Sequence, residues 1–140
     1  MRPPLTLRLA AGLSAVATSI SLAGPVHALA TDDVVGGTTS APSGLLRSGC
    51  HTYAYSYAVQ VPTQDWALEV SIVDRRGHGV ASFAYIGPYD EVAETTPFRL
   101  CRAATVPGRF RIRSTLNWYD DPLTPIPAPM PVTRFRLARS

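Results

Sequence analysis

The chain has 140 residues, room for one hydrophobic core and not two. Its 13 basic residues against 10 acidic ones give +3. Arg2 and Arg8 fall in a segment that reads as an export signal, which leaves 11 against 10, a net charge of +1. The mature domain is therefore not strongly basic overall, and its charge matters only through where it is placed. Every basic residue is Arg, a bias that a GC-rich genome produces as readily as selection for bidentate pairing.

Met1 to about Ala30 carries Arg2 and Arg8, the apolar run Leu9 to Ala23, and the small-residue site Ala28-Leu29-Ala30. This is a secretory signal peptide in pattern, with cleavage expected before Thr31; the run is too short and too interrupted by Ser and Thr to span a bilayer. No membrane insertion is expected after cleavage. Residues 31–48 are rich in Gly, Ser and Thr and read as a flexible leader. The folded domain is expected over 49–140. Cys50 and Cys101 are an even pair in an exported chain without CxxC spacing or clustered His, so a disulfide is expected rather than a metal site or reactive thiols.

From His51, Tyr53, Tyr55, Tyr57, Val59 and Val61 share one face of a period-two strand that ends at Pro62. Such a ladder is either half-buried core or a sugar-stacking platform, and core is preferred because Tyr suits a pleated, half-buried surface. Trp66 to Val73 places Trp66, Leu68, Val70 and Ile72 on one face and is the strongest core candidate. Asp74 to Gly79 reads as a turn, and Val80 to Ile86 returns as a strand.

Residues 87–97 carry Asp90, Glu91 and Glu94 and read as a solvated acidic loop. Calcium is the alternative, but the spacing matches no calcium-loop motif. Phe98 to Arg102 resumes the sheet. Pro107-Gly108 then launches a strand with Phe110 and Ile112 on one face and Arg109, Arg111 and Arg113 on the other. Residues 122–131 hold five prolines, predicting an extended polyproline connection without ladder bonds. It is a stiff crossover or, less simply, a recognition segment. Arg134-Phe135-Arg136-Leu137 repeats the alternation of the arginine strand and closes the domain.

These elements predict an all-β protein: an antiparallel β-sandwich, jelly-roll or immunoglobulin-like, of about seven or eight strands with one disulfide. Leu68 to Gly77, Gly108 to Arg113 and Phe135 to Leu137 resemble the acidic-glycine turn, the glycine-aromatic-aliphatic strand and the closing strand of the bacterial pre-peptidase C-terminal domain. That resemblance implies a small secreted β-sandwich and carries over no functional residue.

Catalysis is not expected. The mature chain holds only His51 and His78, Asp120-Asp121 reads as a turn, and no nucleophile elbow, zinc-protease motif or phosphate loop occurs. No cofactor or metal is implied. If the two arginine strands pair, Arg109, Arg111, Arg113, Arg134 and Arg136 form one candidate face for an anionic polymer such as a cell-wall glycopolymer, or for another exported protein. Arginines merely solvated, or paired with Glu69 or Asp74, are the simpler reading. Nucleic acid is not expected, because no aromatic side chain interleaves on that face to stack bases. The function expected is a secreted, extracellular, non-catalytic binding or structural module. A carbohydrate-binding module using Tyr53, Tyr55, Trp118 or Tyr119 is the runner-up, and a secreted hydrolase comes third.

Overall fold

The computed structural model describes residues 34–140. The export-signal reading of residues 1–30 lies outside the described residues. Among the described residues there are nine strands: β1 (Gly36–Ser40), β2 (Gly44–Leu46), β3 (Cys50–Gln60), β4 (Trp66–Val73), β5 (Gly79–Ile86), β6 (Ala93–Cys101), β7 (Gly108–Tyr119), β8 (Pro125–Ala128) and β9 (Thr133–Arg139). One sheet runs β1-β3-β6 and the other β2-β9-β7-β4-β5, with β8 added to β7. Every pairing is antiparallel except that of β2 with β9. The expected all-β sandwich is what forms, with more strands than the seven or eight predicted.

Alternation decides which face each strand buries. On β4, Trp66, Leu68, Val70 and Ile72 are each at most 1% exposed. Burying such side chains contributes about 1.5–3 kcal/mol apiece. Phe110, Ile112 and Leu116 of β7 lie in the same core, with Ile112 opposite Ile72 and Leu116 opposite Leu68. The second sheet answers with the tyrosine ladder. Tyr57 packs on Tyr85 at 4.3 Å between ring centroids and Tyr55 on Phe83 at 5.2 Å. The hydroxyls buried with them are satisfied in a chain, Tyr55 to Tyr85 at 2.6 Å and Tyr85 to Thr96 at 2.6 Å. An unpaired hydroxyl in that position would cost about 1–3 kcal/mol.

The leader reading of 31–48 is corrected over the described residues, 34–48. Gly36–Ser40 pairs with Gln60 to Ser56 of β3, Gly44–Leu46 pairs with Leu137 to Arg139 of β9, and Leu46 is fully buried. The domain thus begins before residue 49. Composition misled here because a strand that borrows its ladder from a longer neighbour needs few apolar side chains of its own. Gly37 sits where a side chain could not, since a Cβ would stand 2.7 Å from the Ala58 carbonyl oxygen.

The proline segment is likewise corrected. Pro125–Ala128 forms β8 against Tyr119 to Leu116, and the Pro129 carbonyl then accepts a hydrogen bond from Gly37 N at 3.0 Å in the other sheet. Proline is tolerated because β8 is an edge strand, where half the backbone donors face away from the ladder. The acidic loop is shorter than expected. β6 starts at Ala93, so Glu94 to Pro97 are paired with Tyr57 to Ala54. What is left of the loop is tied by Asp90, whose Oδ2 accepts from Ile86 N at 2.6 Å.

Cys50 and Cys101 are bonded and sit directly opposite each other at the end of the β3·β6 ladder. The bridge fastens β6, an edge strand that among the described residues pairs with β3 alone, to the sheet.

Candidate functional site

β7 and β9 are sheet neighbours, and their register sets Arg109 opposite Arg136 and Arg111 opposite Arg134. Phe110 pairs with Phe135 between them and points inward, their rings 5.3 Å apart, so the guanidinium groups stand on the outer face. Residues two apart along a strand are separated by about 7 Å, and directly opposite Cβ atoms by about 4.5–5.5 Å. The four arginines therefore make a two-by-two lattice of positive charge. Like charges directly opposite on a sheet destabilise it.

A groove of about 490 Å³ lies over this lattice, lined by Arg75, Gly108, Arg109, Arg111, Arg134 and Arg136. Among the described residues no carboxylate lines it. Arg75 comes from the β4–β5 turn and was missed in the sequence because it is remote from both arginine strands. The signal lay in Gly108, at φ +140°, where a Cβ would stand 2.9 Å from Arg75 Cδ. Glycine at the head of β7 gives the Arg75 stem room to cross the strand.

Arg113 shares the face but not the groove. β9 pairing ends at Thr133 opposite Ile112, so the neighbour of Arg113 is Ser71 of β4. It lines a separate depression of about 580 Å³ with Glu69, Ser71, Ser82 and Thr115. Glu69 is thus close to Arg113 and away from the four paired arginines. Asp74 is no counter-ion for the groove either. It is buried, and its Oδ1 accepts the amides of Arg76 at 2.8 Å and His78 at 3.1 Å. Burial alone would raise its pKa, but those amides and the nearby His78 hold it below the usual carboxylate value.

The aromatic platform required by a carbohydrate-binding reading is not assembled. Tyr55 is 1% exposed and Tyr57 2%, and burial pushes both phenols above their ordinary pKa. Tyr53 is half-buried, its hydroxyl donating to the Leu45 carbonyl and accepting from Arg47 N. Trp118 packs against the core, opposite Trp66. Tyr119 is half-buried at the foot of β7. His51 Nε2 lies 2.7 Å from the Ser48 carbonyl oxygen, and His78 sits exposed in the β4–β5 turn. Among the described residues no three His, Cys, Asp or Glu side chains gather to hold a metal.

No family model and no curated protein matches the chain, so the pre-peptidase resemblance gains no support from either comparison. Among solved structures the chain is similar to the CARDB domain of a Pyrococcus furiosus protein crystallised with di-metal ions. The two share 14% identity at a TM-score of 0.38, over 75% of this chain and 91% of the other.

Proposed function

We propose that this small β-sandwich is an exported, non-catalytic binding module whose arginine groove takes an extended acidic polymer, a cell-wall glycopolymer being the chemistry that suits an exported domain. The observation that carries the reading is the facing of Arg109 with Arg136 and Arg111 with Arg134 in a groove that no carboxylate among the described residues lines. Stacking like charges costs stability, and a bound polyanion offsets that cost by pairing with both rows. A linear ligand lying along the strands would meet a guanidinium row about every 7 Å.

Retention on acidic cell-wall material tests it. Binding should fall steeply as salt rises from low to physiological strength, because exposed charges are screened over about 8–10 Å. Replacing Arg109, Arg111 and Arg134 with Gln should abolish retention while leaving the fold intact. Retention that ignores salt, or survives the triple change, would rule the groove out as the binding surface.

A further inference from the structure

The sheet edges are guarded, with one exception. β2 has only three residues, β8 carries Pro125 and Pro127, β6 carries Glu94, Pro97 and Arg99, and β1 spends an amide on the Pro129 carbonyl. These are the devices by which sheets avoid pairing with other chains. β5 has none of them. Gly79–Ile86 is eight residues long, without charge or proline, and among the described residues it pairs on one side only, with β4.

The free groups on β5 follow from its ladder. Gly87 N donates to the Trp66 carbonyl at 3.0 Å, which makes that pair a hydrogen-bonded one. Antiparallel pairs alternate, so Tyr85, Phe83 and Ala81 bond to β4, while Ile86, Ala84 and Ser82 turn their backbone groups outward. Ile86 is already engaged, its amide by the Asp90 carboxylate and its carbonyl by the amides of Tyr89 and Asp90. Ser82 and Ala84 therefore present their donors and acceptors on the open edge. Polar backbone groups of this kind seek partners.

We propose that β5 pairs antiparallel with β5 of a second copy of this chain about a two-fold axis through Phe83. In that register Ser82 of each copy bonds Ala84 of the other, and Val80 of each faces the other's Ile86, which is 53% exposed. Charge at the strand ends selects a second copy, and selects the antiparallel direction. Arg76 precedes β5, and Asp90 and Glu91 follow it. Antiparallel pairing brings the basic turn of each copy beside the acidic turn of the other, twice; parallel pairing would set like against like. The interface is independent of the polymer reading. β4 and β5 separate it from β7 and β9, so a dimer would carry both arginine grooves on one continuous sheet.

Sedimentation equilibrium on the intact protein, from about 10 μM to about 1 mM, is the test. The wild type should reach a dimer. Ser82→Lys, which adds the missing guard charge, and Ala84→Pro, which removes an outward amide without breaking the β4 ladder, should each weaken it about tenfold or more. Both should leave the unfolding midpoint of the monomer near the wild-type value; if Ala84→Pro unfolds the chain, Ser82→Lys decides. Arg76→Glu should weaken the dimer and Glu91→Arg in the same chain should restore it. A monomer at every concentration, or a dimer indifferent to Ser82→Lys, overturns the proposal.

Discussion

Breaking the Cys50–Cys101 bridge perturbs the largest single constraint on the unfolded chain. The cysteines are separated by 51 residues, and the chain-entropy relation gives about 4 kcal/mol for a loop of that length at 25 °C. The native ladder should survive the cut. Nine residue pairs join β3 to β6, and Phe98 and Leu100 of β6 are 5% and 2% exposed, so packing still holds the strand when the bridge is gone. The double change Cys50→Ser and Cys101→Ser should therefore fold and lose about 4 kcal/mol, through the denatured state more than through lost contacts. Urea unfolding followed by tryptophan fluorescence reads this directly. At a slope of about 1.5 kcal/mol/M the midpoint should fall by about 2–3 M with the slope little changed. A midpoint shift below about 0.5 M would mean that the open loop regains almost no entropy and that the bridge does not stabilise the domain through the denatured state.

Other consequences follow from burial and pairing. Ile112→Ala, at a fully buried site, should cost about 2–5 kcal/mol, while Arg111→Ala on the outer face should cost little or slightly stabilise by relieving its opposition to Arg134; equal losses in chemical denaturation would contradict the register. Asp74→Ala should cost about 2–4 kcal/mol by orphaning the amides of Arg76 and His78. Because the folded pKa of Asp74 lies below its ordinary 3.8, its contribution is fully present above that value and is lost as pH falls below it. The Ala variant should therefore show a shallower acid loss than the wild type between about pH 4 and pH 2. Ser114 Oγ is buried without a hydrogen-bond partner, so Ser114→Ala should leave stability unchanged or raise it by about 1 kcal/mol, measured by thermal unfolding; a clear loss would mean that the hydroxyl is bonded after all.

Strands that carry their own hydrophobic face were readable in the sequence. Trp66 to Val73 forms over the residues predicted, and β7 contains the arginine strand with Phe110 and Ile112 inward, as read, because alternation specifies both the element and its buried side. Strands stabilised mainly by a neighbour were not readable. β1, β2 and β8 are held by ladder bonds to β3, β9 and β7, and neither Gly36-Gly37-Thr38 nor Pro125-Ile126-Pro127 announces a ladder. The candidate site divided in the same way. Arg109, Arg111, Arg134 and Arg136 were legible as outward residues of two alternating strands. Arg113 fell outside the groove because β9 begins at Thr133, opposite Ile112, and Arg75 joined it through a turn, and neither event leaves a periodic trace.

If four paired arginines and Arg75 form one polyanion-binding groove, affinity for a soluble linear polyanion, measured by titration calorimetry across a salt series, should depend steeply on salt. Neutralising the five guanidinium groups together predicts a slope of log affinity against log salt of about −3.5 to −4.5, shallower by about 2–3 when Arg109, Arg111 and Arg134 are replaced with Gln. A slope near zero, or one unchanged by the triple replacement, would contradict the account.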